Sequence, residues 1–302
     1  MKNLFDIKDN VTVITGGTGV LGSAIAQYLV ENGARVIIIG RNAEKGKAIV
    51  ASLSYPFPKG EGHEYKQPQE TDTEHTTPLS SRRGVEGEAG SIEFIQADVL
   101  QQEQMEQACE YIISKYARVD TLLNAAGGNQ AGATIGPDQN IFDLQPEAFQ
   151  QVLQLNLTGT VIPTQVFLRP MAAQGKGSII NFSSMSAFRP LTRVCGYSAA
   201  KAGINNFTAY MAAECAKKFG EGIRVNAIAP GFFITEQNRS LLTNPDGTYT
   251  ERGKDVIRQT PFGRMGQPEE LCGTIHYLMS PASRFVTGTV AVVDGGFNVF
   301  AM

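Results

Sequence analysis

The sequence predicts an α/β fold: a single domain, residues 1–302, built on a doubly wound, mostly parallel sheet of seven strands with helices on both faces. Three observations predict it. Short β-branched runs recur along the chain, segments with apolar residues at helical spacing separate them, and the first strand-to-helix turn is rich in glycine. Strands that alternate with helices imply right-handed crossovers, which cover both faces of a sheet and gather the strand C-termini along one edge. Sheets of this kind bind ligands at that edge, so the chemistry-bearing motifs are expected to meet there.

The elements follow in order. "VTVIT" (11–15) is a strand that ends at glycines, and "VLGSAIAQYLVENG" carries apolar residues at helical spacing until Gly33 stops it. Further strands are "RVIII" (35–39), "IEFIQ" (92–96), "TLLNA" (121–125), "GSIINFS" (177–183), "RVNAIA" (224–229) and "VAVVD" (290–294). Residues 55–90, rich in Pro, Gly and charge and poor in aliphatic periodicity, read as a surface insertion, because they hold too few apolar residues to bury a face of their own. A stretch of about 232–262 follows the sixth strand and is long enough to cover a pocket, so it reads as a substrate lid.

The bulk composition narrows the function classes. A formal net charge of -3 offers no basic field for nucleic acid or an anionic membrane, which disfavours both as partners. The four cysteines, Cys109, Cys195, Cys215 and Cys272, lack paired metal-ligand spacing and suggest no disulfide framework, so no metal is expected. A reducing, cytoplasmic setting fits them. No segment has the apolar length that spans a bilayer, and "MKNLFDIKDN" has no signal-peptide core; a soluble protein is expected.

Between the first strand and helix lies "TGGTGVLG", Thr15 to Gly22. Backbone amides without side chains in the way, followed by a helix N-terminus, suit a pyrophosphate. This nominates Gly16, Thr18, Gly19, Val20, Leu21 and Gly22 for a dinucleotide, although a ligand-free tight turn would have the same glycines. The second strand ends at "GRN": Gly40 stands where an acid would hold the adenosine ribose, and Arg41 can reach a 2′-phosphate. NADP(H) is therefore favoured and NAD(H) left open, while a solvated surface arginine is the plain alternative. In "YSAAK", Tyr197 and Lys201 stand one helical turn apart and share a face.

"ADV" (97–99), "NAAG" (124–127), "LNLTG" (155–159), "INFSSMSAF" (180–188), "YSAAK" (197–201), "APGFFIT" (229–235) and "VDGGF" (293–297) lie in register along the chain. With these motifs the sequence resembles the short-chain dehydrogenase/reductase family over nearly its whole length. The resemblance implies a Rossmann-type single domain, usually tetrameric or dimeric, that interconverts a carbonyl and a secondary alcohol. It implies that Tyr197 donates or accepts the proton, that Ser184 binds the substrate oxygen, that Lys201 supports Tyr197 and the nicotinamide ribose, and that Asn156 completes a proton relay. Tyr197 follows Ser184 by thirteen residues, the family's spacing, which selects Ser184 over its neighbour Ser183. Asp98, Val99, Asn124, Ala125, Ala126, Gly127, Pro230, Gly231, Phe233 and Thr235 join the glycine loop, Arg41, Tyr197 and Lys201 as cofactor-binding residues by the same resemblance. One departure stands out: Val20 occupies a position where single-domain reductases commonly have glycine, so phosphate contacts there are expected to differ in detail.

A free tyrosine has a pKa of about 10, and a nearby Lys201 ammonium and the positive oxidised nicotinamide ring are expected to lower it. On the substrate side, Ser184, Arg189, Arg193, Gln237, Asn238 and Arg239 are candidates to recognise hydroxyls or a carboxylate, which guanidinium forks bind bidentately. Each arginine alone is equally at home in a structural ion pair. "NAAGGNQAGAT", "SSMSAFRPLTR" and "APGFFITEQNRSLLTNPDGTYTERG" are similar to short-chain reductases assigned as D-mannonate oxidoreductases, or fructuronate reductases, which implies a small-molecule sugar-acid substrate. The alternatives are a reductase of another polar ketone and a nucleotide-sensing family member without turnover.

Overall fold

A computed structural model describes residues 3–53, 90–236 and 238–300. The expected insertion at 55–90 therefore lies outside the described residues except for Gly90, and Gln237 lies outside them too. Seven strands form one sheet: β1 (Val11–Thr15), β2 (Arg35–Gly40), β3 (Ile92–Gln96), β4 (Thr121–Asn124), β5 (Gly177–Phe182), β6 (Ile223–Pro230) and β7 (Val290–Val293). Their order is β3-β2-β1-β4-β5-β6-β7 and every pairing is parallel. The expected fold class is thus observed, with strand ends displaced by no more than about one residue from the positions read from sequence.

Every residue of β1, β4, β5 and β6 is buried, as parallel strands covered on both faces require. Successive side chains nevertheless point to opposite faces. Val13, Ile37, Leu122 and Ile179 join one core layer, where helices α3 (Gln102–Tyr116) and α5 (Gly159–Gln174) contribute Met105, Ile112, Phe167 and Met171. Their neighbours Ile14, Ile38, Leu123 and Ile180 join the other, with Ile25 and Leu29 of α1 (Val20–Glu31) and Ile275 and Leu278 of α9 (Cys272–Met279). α2 (Ala43–Leu53) follows β2, and α4 (Pro146–Leu153) precedes α5. The longest helix, α6 (Cys195–Phe219), runs between β5 and β6, and the short α7 (Arg239–Leu242) and α8 (Glu251–Arg258) follow β6.

The chain winds outward from β1 through β2 to β3, then crosses back to lay β4 on the other side of β1. That reversal opens a crevice beyond the C-terminal ends of β1 and β4. The glycine loop fills its floor on one side. Gly16 has a φ of +68°, and a Cβ there would lie 2.7 Å from the backbone of Ala126, so the turn brings the β1 and β4 loops into direct backbone contact. A Cβ at Gly22 would meet the Gly16 carbonyl at 2.8 Å, so the start of α1 sits directly on the turn. Among the described residues no helix is long and apolar enough to cross a membrane.

Polar side chains buried beneath the crevice are paired in a ladder. Asn124 Nδ2 donates to Thr164 Oγ1 and to Asn181 Oδ1, both at 2.9 Å, and Asn181 Nδ2 donates to Thr208 Oγ1 at 2.9 Å. The ladder ties β4 and β5 to α5 and α6, the elements that carry the site. Phe167, fully buried on α5, anchors the layer beside it. Phe167→Ala is expected to cost about 3–5 kcal/mol through lost burial and the cavity left behind. Urea denaturation should show a lower midpoint with an unchanged slope; a midpoint equal to the native one would contradict this account of the core.

Candidate active site

A cavity of about 880 Å³ runs from the glycine loop to the first turns of α6 and on beneath the segment after β6. Its size suits a cofactor-scale ligand. Along its wall lie Gly16, Thr18, Gly19, Val20, Leu21, Gly22, Arg41, Asp98, Val99, Ala125, Ala126, Gly127, Pro230, Gly231, Phe233 and Thr235 together with Ser184, Tyr197 and Lys201. Nearly all the residues nominated for the cofactor are therefore brought to one place with Ser184. Asn124 is the exception among the nominated cofactor contacts. Its amide lies beneath the cavity in the polar ladder, because the last residue of a fully buried strand turns its side chain between β5 and α5.

The opposed roles of the two adjacent serines follow from their hydrogen bonds. Ser183 donates to Asn205 Oδ1 and is buried at the end of β5. Ser184 accepts from Ser186 N at 3.2 Å as the cap of a single 3₁₀ turn and bonds the Tyr197 phenol. One helical turn on, Lys201 Nζ donates to the Phe182 carbonyl at 2.7 Å and stands 5.4 Å from the centre of the Tyr197 ring. Burial depresses the Lys201 amine to about 7. Burial also raises the Tyr197 phenol, with the Ser184 bond acting in the opposite sense. In the protein alone, burial of the phenol thus prevails over the expected lowering by Lys201.

Asn156 is fully buried on a π-helical turn, Gln154–Thr158, between α4 and α5. Such turns interrupt the regular ladder and reorient side chains. Here Asn156 Nδ2 donates to the carbonyls of Gly128 at 2.7 Å and Val152 at 2.8 Å, while Oδ1 accepts from Gly128 N at 3.1 Å. Gly127 lies between this amide and Lys201: a Cβ on it would come within 2.6 Å of Asn156 Oδ1 and 3.4 Å of Lys201 Nζ. Asn156 therefore clamps the loop after β4 and faces Lys201 across a glycine, although it does not itself line the cavity.

At the far end, Arg41 is exposed on the cavity rim. A Cβ at Gly40 would already lie 3.1 Å from the Thr18 side chain, so the turn is tight where an acidic side chain would otherwise stand. Across the cleft, Lys45 Nζ of α2 bonds Glu236 at 2.7 Å. The glycine cradle, the cation and the cavity together fit a nicotinamide dinucleotide.

The nominated substrate arginines are not brought to the wall. Arg189 donates to the carbonyls of Phe297 at 2.6 Å and Phe300 at 2.9 Å and stacks on the Phe297 ring, so it secures the C-terminal segment. Arg239 is exposed at the start of α7 and faces solvent. Arg193 is half-buried behind the wall, in a left-handed backbone conformation at φ +76°, with its carbonyl accepting from Ile135 N. Asn238 does line the cavity, with Leu191, Val194, Leu241, Leu242 and Arg252, which sequence reasoning passed over. Arg252 had one local signal: Thr250 caps α8 by accepting from Gly253 N at 3.1 Å, which fixes a helix start two residues before it.

The chain belongs to the short-chain dehydrogenase/reductase family. A family model described as short chain dehydrogenase matches residues 10–60, and one described as enoyl-(acyl carrier protein) reductase matches 69–298. The chain is 39% identical over 305 residues to an uncharacterized oxidoreductase, UxuB, of Bacillus subtilis (strain 168), covering 98% of this chain and 97% of the relative. A Haemophilus influenza protein provisionally named a D-mannonate oxidoreductase, solved with bound NAD, shares 33% identity at a TM-score of 0.79, over 98% of this chain and 97% of that one. A provisionally named gluconate dehydrogenase from Agrobacterium tumefaciens shares 27% identity at a TM-score of 0.79, over 99% and 100%. The chain is thus a dehydrogenase/reductase acting on CH–OH groups, of a family that binds NAD(P).

The buried amine gives a pH signature. Unfolded, Lys201 holds its proton up to its ordinary value of 10.5; folded, only up to about 7. Between those values the unfolded chain binds more protons, so this group makes stability rise with pH. The melting temperature of the native protein minus that of Lys201→Met should therefore increase from neutral pH toward about 10. A difference that stays constant across that range would show that the amine is not desolvated.

Proposed function

We propose that the protein is an NADP(H)-favouring oxidoreductase that interconverts a ketone and a secondary alcohol on a sugar acid of the D-fructuronate/D-mannonate type. The observation that carries the reading is the convergence of Tyr197, Ser184 and Lys201 on the wall of the cavity that also contains the glycine loop. Gly16, Thr18, Gly19 and the start of α1 would hold the cofactor's pyrophosphate, Arg41 its 2′-phosphate, and Lys201 its nicotinamide ribose. When bound, the cofactor supplies or accepts the hydride at the substrate carbon.

The chain's own residues manage the substrate oxygen. In reduction Tyr197 Oη–H donates a proton to the carbonyl oxygen as charge builds on it, and the Ser184 hydroxyl donates a second hydrogen bond to the same atom. In oxidation Tyr197 takes the proton back. Lys201 stands beside the phenol, positioned by the Phe182 carbonyl, and favours the phenolate whenever it is protonated. Asn156 holds the loop after β4 and lies next in line toward the interior, which supports its place in a water-linked proton relay.

The names carried by the Haemophilus and Agrobacterium neighbours support a sugar-acid substrate, and Gln151 gives the wall a hydroxyl-binding group, while the Asn238 amide on the same wall is held by Thr235 N and the Phe233 carbonyl. Leu241 and Leu242 of α7 and Arg252 of α8 cover the outer cavity, which supports a lid role for the segment of about 232–262. Membership of the family supports assembly into a homodimer or homotetramer. The absence of a membrane-crossing helix among the described residues is consistent with a cytoplasmic enzyme.

Two measurements test the reading. Tyr197→Phe should lower turnover of D-fructuronate by about a hundred- to ten-thousandfold while NADPH binding, followed by fluorescence, stays close to native; near-native turnover would end the mechanism. For the cofactor, kcat/KM should favour NADPH over NADH, and Arg41→Asp should reverse the order by exchanging attraction to the 2′-phosphate for repulsion. A native preference for NADH would refute the role given to Arg41.

A further inference from the structure

We infer that Arg252 is the residue that anchors the substrate's carboxylate, with Arg193 behind it as a second cation; the inference rests on the sugar-acid reading of the same cavity. Arg252 lines the cavity that holds Ser184 and Tyr197 and is partly buried there. Its guanidinium has five donors. Among the described residues it spends one, on a 3.5 Å contact from Nη1 to Thr192 Oγ1 at the outer limit of hydrogen bonding. That contact joins α8 to the loop between Ser184 and Tyr197, so the cation belongs to the reacting end of the cavity.

The carboxylates beside it on α8, and Glu236 on the cavity wall, are engaged elsewhere. Glu251 pairs with Lys254, Asp255 with Arg258, and Glu236 with Lys45. No carboxylate of the described residues forms an ion pair with Arg252 or Arg193. Burial lowers the pKa of Arg252, as does the like charge of Arg193, with Asp255 opposing them. Arg252 also lies in the first turn of α8, the helix end whose dipole disfavours a cation. Arg252 is therefore a cation on the cavity wall with most of its donors unspent, in the field of Arg193 and of a positive helix end, while the acid close enough to act on it, Asp255, is already paired with Arg258. The arrangement is unfavourable for the protein by itself and is relieved by an anion. A bidentate carboxylate uses the planar fork of Arg252 as a lysine would not.

The probe is D-mannonate, compared with the neutral D-mannitol, titrated calorimetrically into the enzyme–NADPH complex. The cofactor is then in the wrong redox state to turn either compound over. Native enzyme should bind D-mannonate saturably. Arg252→Gln should weaken that binding by about ten- to a hundredfold, Arg252→Lys should restore part of it, and D-mannitol should bind all three alike. NADPH affinity should be the same in all three, which also shows that the variants are folded. The proposal is overturned if native enzyme shows no saturable D-mannonate binding, if Arg252→Gln binds it as native enzyme does, or if NADPH affinity falls in parallel, which would place Arg252 on a cofactor phosphate. Failure of the native enzyme to reduce any ketone, with Arg252-dependent D-mannonate binding intact, would reject the reductase reading and leave this site standing.

Discussion

The bond from Lys201 Nζ to the Phe182 carbonyl is the contact around which the site is arranged. An ammonium cannot be taken out of water cheaply, and here it is buried with one backbone acceptor and no carboxylate, so its proton is held loosely near neutrality. The same bond sets the rotation of α6 against the end of β5. Once that rotation is fixed, Tyr197 falls on the same helix face one turn earlier, and Ser184, just past the end of β5, meets its phenol. Gly127 and Asn156 approach from the β4 side and close the arrangement below. Asn156, Ser184, Tyr197 and Lys201, spread over 46 positions of sequence, are thereby placed by one π-helical turn, one strand end and one helix.

Such a site needs a rigid floor. The amide and hydroxyl ladder of Asn124, Asn181, Thr164 and Thr208 supplies it, since each member is a buried polar group that loses its partner if a strand or helix shifts. The π-helical turn at Gln154–Thr158 serves the same end by a different route. An α-helical path through these residues would leave Asn156 rotated away from Gly128, and both directions of their hydrogen bonding would be lost.

What was legible in the sequence was what local physics decides. β-branched runs bounded by glycine mark strands buried on both faces whatever the tertiary context, and the glycine turn announces a backbone that must be approached closely. The register of Tyr197 and Lys201 was legible because one helical turn fixes it locally, whereas Ser184 was picked out by the thirteen-residue spacing of the family it resembles. What was not legible depends on contacts distant in sequence. Arg189 and Arg252 are both arginines in polar surroundings near the catalytic motifs. One is captured by carbonyls more than a hundred residues away and the other is left facing the cavity, and the Thr250 cap beside Arg252 marks a helix start without fixing what the guanidinium faces. Asn124 was misplaced for a related reason: the backbone beside it does reach the crevice, but strand alternation sends its side chain the other way.

The Lys45–Glu236 pair is the described ion pair that joins the two banks of the crevice, from α2 on the adenosine side to the segment that follows β6. Both side chains are well exposed, and pairs of that kind contribute only about 0–1 kcal/mol and weaken as salt rises. Arg35 of β2 and Glu93 of β3 also make ion pairs, with Asp9 and Lys115, but these are less exposed. Ionic strength therefore acts on this molecule unevenly: it weakens the clasp across the mouth of the crevice more than the pairs along the sheet.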